Sequence, residues 1–213
     1  AREGDPHERR AREQAERDAV NATEQLRDAR TEIARMREEV RTTRADAEDA
    51  KIRLARIEGE KQAEDALRNA DKRAADQRAG VETLKQALAR FGTVRDGSRG
   101  LTLVLAESLW ANPRSTNLGA ASASKLDQLG ALLANSPDYQ ISIEAFTDNK
   151  GDEAALQQLT QDRARVLSER FAAAGVDVTR IQASGLGGAS PVAPNTTVAS
   201  RAKNRRTEVT LST

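Results

Sequence analysis

The sequence predicts an α+β domain of β-α-β-α-β-β order, a mixed sheet with helices on one face, preceded by a long α-helical coiled coil. Three observations carry this reading. Nearly half of residues 1–99 are charged, 23 basic and 22 acidic, a density at which no ordinary globular core forms. Apolar and small residues recur through that stretch at alternating steps of four and three. From residue 100 onward only 11 charges of each sign remain, and short apolar runs of strand and helix period alternate.

The whole-chain composition excludes several classes of function. The 213 residues carry a formal charge of +1, so no strong field favours nucleic acid or an anionic membrane, and no nucleic-acid partner is expected. There is no Cys, which removes disulfides, thiolate metal sites and thiol nucleophiles. No apolar run approaches the roughly 20 residues of a membrane span, and Ala1 opens no signal peptide. Membrane attachment is expected only through an anchor absent from this chain.

Residues 1–92 read as the helical stalk. Ala15, Ala19, Ala22, Leu26, Ala29, Ile33, Met36, Val40, Thr43, Ala47, Ala50, Leu54 and Ile57 form the a/d seam of a heptad. A second seam runs through Leu67, Ala70, Ala74, Gln77, Val81, Leu84, Leu88 and Phe91. The offset between the two amounts to a stammer close to Gly59. Good helix formers fill the remaining positions, with no Pro between Pro6 and Pro113. At ~1.5 Å per residue such a helix would reach on the order of 125 Å. The seam suits a parallel homo-oligomer; a hairpin folded back near Gly59 or Gly80 is the alternative.

Residues 93–100 contain Gly97 and Gly100 and follow Gly92, a composition that predicts a linker. Residues 101–213 then form the globular domain. Leu101–Leu105 reads as a strand. Asn117–Ala134 has helical spacing at Leu118, Leu126, Leu129, Leu132 and Leu133. Gln140–Ala145 alternates Ile141 and Ile143 against Ser142 and Glu144, the pattern of a half-buried strand. Asp152–Ala174 is helical, with Gly175 at the position of a C′ cap. Ile181–Ser184 is a short strand, Gly185–Thr197 a loop, and Arg206–Leu211 the last strand.

Several segments of this half match one family in order. Ile141-Ser-Ile-Glu-Ala-Phe-Thr-Asp-Asn-Lys-Gly151 resembles the strand-plus-loop motif of the OmpA-like C-terminal domain family. Leu159-Thr-Gln-Asp-Arg-Ala164 is similar to its Leu-Ser-x-x-Arg-Ala helix, and Gly175-Val-Asp-Val-Thr-Arg180 to its Gly-Val-x-x-x-Arg turn. Gly185-Leu-Gly187, Pro191 and Asn195-Thr-Thr197 follow, then Arg201-Ala-Lys-Asn-Arg-Arg-Thr-Glu-Val209, similar to the closing Gly-Arg-x-x-Asn-Arg-Arg-Val-Glu signature. The chain departs from the pattern at Ala145 for Gly, Phe146 for His, Leu156 for Asn, Ser200 for Gly and Thr207 for Val.

The resemblance implies a site for peptidoglycan, chiefly for the diaminopimelate of its stem peptide. That residue ends in an ammonium and a carboxylate on one carbon, so its site needs a fixed anion and a fixed cation. The resemblance places these on Asp148 and Arg163, with Thr147 and Asn149 supporting the loop. A carboxylate at a strand exit can accept backbone N–H bonds that favour its charged form, and a guanidinium suits a bidentate bond to a carboxylate. Without the motif, Asp148 reads as a helix-start cap and Arg163 as its ion-pair partner. Asn204, Arg205 and Arg206 are expected to hold the last strand and loop together, and Arg206 is a further candidate to line the pocket.

The functional expectation is a non-enzymatic cell-wall tether at the periplasmic face of the outer membrane, in the envelope of a Gram-negative-type bacterium. The alternative is an oligomeric scaffold whose degenerate domain binds another protein, an idea motivated by Phe146, Leu156 and Trp110 in a normally polar site. No catalytic residues, cofactor or metal are expected. The only His is His7, in a charged segment; Gly185-Leu-Gly-Gly188 precedes no helix of dinucleotide-binding type; and Asp152-Glu153 suits a helix start.

Overall fold

The computed structural model describes residues 5–213; positions 1–4 of the expected stalk lie outside the described residues. The chain divides between Arg73 and Ala74 into two compact units.

Among the described residues, helix α1 (Pro6–Leu88) accounts for all of the first unit's secondary structure. Pro6 stands at its first position, where a missing N–H costs nothing, and the Asp5 carboxylate accepts the N–H of His7 at 3.0 Å. Ion pairs one turn apart, such as Arg56–Glu60 at 2.8 Å and Arg68–Glu64 at 3.3 Å, lie on its solvated surface. Each contributes only a few tenths of a kcal/mol. The helix runs through Gly59 and Gly80 without a break, so the hairpin alternative is not the arrangement adopted. Leu26, Ile33, Met36, Val40, Leu54 and Ile57 of the first seam are 44–60% exposed. Among the described residues this stripe therefore has no partner within the chain.

The second unit is a five-stranded mixed sheet of β1 (Thr93–Gly97), β2 (Gly100–Leu105), β3 (Gln140–Ala145), β4 (Ile181–Gly185) and β5 (Thr207–Ser212), in spatial order β1-β2-β5-β3-β4. Its helices are α2 (Ser122–Ala134), α3 (Glu153–Ala173) and the short α4 (Val198–Asn204). Strands β3 and β4 pair in parallel across the α3 crossover, and the other neighbours are antiparallel. Period-2 alternation turns Leu101, Leu103, Leu105, Ile141, Ile143, Val209 and Leu211 to one face. There they meet Leu126, Leu129 and Leu133 of α2 and Leu167 and Phe171 of α3 in one core.

The structure corrects the expected boundaries. The segment read as a linker, 93–100, is a β-hairpin that pairs Thr93–Gly97 with Gly100–Val104 through a two-residue loop. Gly100 turns with φ +120°, and a Cβ there would lie 2.0 Å from the Leu211 carbonyl oxygen; its glycine serves a close strand approach rather than flexibility. The globular unit also begins earlier than residue 101, because Leu84 and Leu88 at the end of α1 are buried in its core. Helix α2 starts at Ser122 instead of Asn117, since Leu118 bridges back to Trp110 and the Gly119 N–H bonds the Leu109 carbonyl at 2.9 Å. Helix α4 falls within a motif read only as loop and strand approach; the Thr197 hydroxyl caps it by accepting the Ser200 N–H at 3.0 Å.

Leu88→Ala is expected to lower the unfolding free energy of the globular unit by about 2–5 kcal/mol, while Leu26→Ala leaves it unchanged. Urea denaturation followed by fluorescence of Trp110, the single Trp, measures both.

Candidate functional site

Strand β3 ends at Ala145, and the chain continues as Phe146-Thr-Asp-Asn-Lys-Gly151 before α3. Two backbone bonds hold this exit between its neighbours: the Phe146 N–H donates to the Arg206 carbonyl at 2.9 Å, and the Thr147 N–H to the Gly187 carbonyl at 2.8 Å. At the other end, α3 is capped by Asp152, whose carboxylate accepts the Ala155 N–H at 3.1 Å. The capping role is therefore filled without Asp148.

Asp148 is 2% exposed, and its carboxylate is bonded on both oxygens. Its Oδ1 accepts the Lys150 N–H at 2.9 Å and Arg114 Nη2 at 2.6 Å, and its Oδ2 accepts Arg205 Nη1 at 2.5 Å. Arg205 also pairs with Glu107 from the short turn after β2. Burial opposes the negative charge, but the Lys150 N–H and the Arg114 and Arg205 guanidinium groups together prevail and hold the carboxyl below its ordinary value of 3.8. The Glu107 partnership, against the cost of burial and with help from Asp148, raises the Arg205 pKa.

Arg163 enters from α3 and is also 2% exposed. Its Nε donates to the Ser115 carbonyl at 2.9 Å and its Nη2 to the Asn112 carbonyl at 3.1 Å, with the guanidinium carbon 4.8 Å from the centre of the Trp110 ring. Burial lowers its pKa to about 10, assisted by Arg114 and Arg205 and opposed by Glu107 and Asp148. It stays charged at neutral pH and sits in the field of the same cluster. The alternative reading of Asp148 and Arg163 as no more than each other's ion-pair partners is thus corrected to a network. Arg114 and Arg205 bond the carboxylate, and Arg163 fixes the 112–115 loop from which Arg114 reaches it. Three guanidinium groups face two carboxylates, a surplus of one positive charge.

The remaining candidates divide. Thr147 is buried and its Oγ1 accepts Arg114 Nη1 at 3.3 Å. Asn149 is exposed beside it. Arg206 is corrected away from the Asp148 cluster: its guanidinium lies 3.9 Å over the Phe146 ring, with Nε on Glu208 at 2.7 Å and Nη2 on the Ser190 carbonyl at 3.2 Å. Arg205 and Arg206 are neighbours whose side chains take opposite directions, so only one reaches the carboxylate. Phe146 takes up Arg206 through cation–π contact. Asn204 performs its expected role, bonding the Val192 and Ala193 N–H groups through Oδ1 and the Ala193 carbonyl through Nδ2 at 2.8–2.9 Å. Arg114 and Glu107 are the members that sequence reasoning did not assign, and Arg205, expected only to hold the last strand and loop, joins them at the carboxylate. The Asn-Arg-Arg motif pointed to Arg205, whereas nothing in the spacing of Arg114 or Glu107 brings them to Asp148.

The unit is thus a mixed sheet with helices on one face and a buried charged cluster at a strand exit. Residues 112–205 match the OmpA family. The probable lipoprotein YiaD of Escherichia coli is 36% identical over 98 residues, 46% of this chain and 45% of that protein. The peptidoglycan-binding protein ArfA of Mycobacterium bovis is 37% identical over 84 residues, 39% of this chain and 26% of that protein. The chain thus matches less than half the length of these relatives. The crystal structure of a putative MotB-like protein from Desulfovibrio vulgaris superposes with a TM-score of 0.54 at 27% identity, over 63% of this chain and 87% of that one.

Because the folded pKa of Asp148 lies below its unfolded value, its charge contributes stability that is complete above about pH 4. That contribution is lost as the pH falls through the folded value. Asp148→Asn is therefore expected to lower Tm at pH 7, and the gap to wild type should narrow below about pH 4. Thermal melts followed by circular dichroism across pH 2–7 check this.

Proposed function

We propose that the chain is a non-enzymatic cell-wall tether. Its OmpA-family domain binds the diaminopimelate stem peptide of peptidoglycan non-covalently, and α1 is the spacer that links this grip to the outer membrane, at its periplasmic face. One observation carries the reading: a buried carboxylate, Asp148, embedded in a cluster with one surplus positive charge. Such a cluster complements a group carrying an ammonium and a carboxylate on one carbon. Asp148 receives the ammonium, Thr147 and the exposed Asn149 line the approach, and Arg163 supplies positive potential while holding the 112–115 loop. The ArfA relative, named for peptidoglycan binding, supports the same assignment.

The scaffold alternative rested on Phe146, Leu156 and Trp110 making the site apolar. All three are 4–6% exposed. Phe146 and Trp110 each lie under a guanidinium group. None offers a face to a protein partner, which favours the tether.

The exposed seam of α1 is suited to a second copy of the chain, packed in parallel through Ile33, Met36 and Val40. Ala-rich layers bury little area, so association is expected to depend on concentration.

Wild-type protein is expected to co-sediment with diaminopimelate-type peptidoglycan, and Asp148→Asn to stay largely in the supernatant. Equal retention of the two, with both folded by circular dichroism, would reject Asp148 as the grip. Light scattering tests the seam: the wild-type molar mass should rise with concentration, and Ile33→Glu with Val40→Glu should hold it at one chain. A mass independent of both substitutions removes the seam from the account.

A further inference from the structure

The two oxygens of Asp148 are held in unequal ways. Oδ2 is bonded from the protein side by Arg205, whose side chain is 8% exposed and also committed to Glu107. Oδ1 is bonded by Arg114, whose side chain is 41% exposed and comes from a loop. The Arg114 guanidinium makes more than that one bond. Its Nη2 also donates to the Lys150 carbonyl at 2.6 Å, and its Nη1 to Thr147 Oγ1 at 3.3 Å and the Pro113 carbonyl at 3.2 Å.

A carboxylate oxygen, a main-chain carbonyl and a hydroxyl thus converge on one cationic group. These three acceptors match the three N–H donors of a primary ammonium. The loop that carries Arg114 is anchored separately. Arg163 grips the carbonyls of Asn112 and Ser115 on either side of it, and the Arg114 N–H bonds Asn112 Oδ1 at 3.0 Å. The side chain can leave Asp148 while the loop stays in place.

We propose that Arg114 is a built-in competitor for the ammonium position of this site, occupying the acceptors of Asp148, Lys150 and Thr147 until a ligand ammonium displaces it. The inference rests on the peptidoglycan reading above and adds to it a residue that sets affinity. Arg114 lowers the apparent affinity because its guanidinium must be expelled before the amino group can enter. Selectivity for a free ammonium stays with Asp148, since a neutral amide cannot replace the cation beside a buried carboxylate.

The test is calorimetric titration of the full chain with a stem tripeptide ending in diaminopimelate, and with the same peptide acetylated on the free side-chain amino group of its diaminopimelate. Arg114→Ala is expected to bind the free-amine peptide about tenfold more tightly than wild type. Arg114→Gln should shift in the same direction, and neither variant should gain for the acetylated peptide. Thermal melts confirm that each variant is folded. Unchanged or weaker binding of the free-amine peptide by both variants, with wild type binding and Asp148→Asn not, overturns the competitor and leaves the tether standing. An equal gain for the acetylated peptide also overturns it, since the effect is then simple unblocking. Binding by none of the proteins overturns both readings.

Discussion

The carboxylate of Asp148 is the point on which the site's architecture turns. A charge that is 2% exposed must be compensated within the protein, because bare burial of an ionised carboxylate costs far more than a domain's whole stability margin. Compensation comes from four directions: the Lys150 N–H in its own loop, Arg205 at the entry to β5, Arg114 from the loop before α2, and, at longer range, Arg163 from α3. Parts of the chain separated by tens of residues are drawn to one spot by that single requirement. Glu107 then balances Arg205 from the far side.

The sheet order makes this convergence possible. β5 is last in sequence but central in space, lying between β2 and β3. The residues just before it therefore stand beside the exit of β3, where Phe146, Thr147 and Asp148 emerge. Arg205 and Arg206 serve different partners there. One holds the carboxylate, and the other lies on the Phe146 ring and bonds Glu208. An apolar residue beside the site thus supports the cationic frame rather than diluting it. At the end of β4, Gly185 passes so near α3 that a Cβ would lie 2.1 Å from the Gln161 nitrogen, so the helix carrying Arg163 is seated directly against the sheet.

Most elements were legible because their signals are periodic. The heptad steps from Ala15 to Ile57 announced α1, and the alternation Ile141, Ile143 announced β3. The hairpin of β1 and β2 was misread because glycines serve tight strand approach and flexible linkers alike, and only pairing distinguishes the two. The end of α1 was assigned to the stalk because Leu84 and Leu88 continue a heptad-like spacing. Their burial against the sheet is a property of the assembled core. Asp148 and Arg163 were found through the family motif. Arg114 was not, since a lone Arg after Pro113 looks like any solvated loop cation until the loop is folded over Asp148.

By itself the sequence determined that a charged heptad helix precedes an α+β domain, and which strand exit carries the acidic residue. Local periodicity and charge density are properties of neighbours along the chain, so they can be read there. Tertiary structure alone decided which cations meet that carboxylate. Asp148 lies 34 residues from Arg114 and 57 from Arg205, and contacts at such separations follow from strand order and loop path. That is also why the carboxylate stands in a network of five charges, with its more exposed side bonded by the protein's own guanidinium, Arg114.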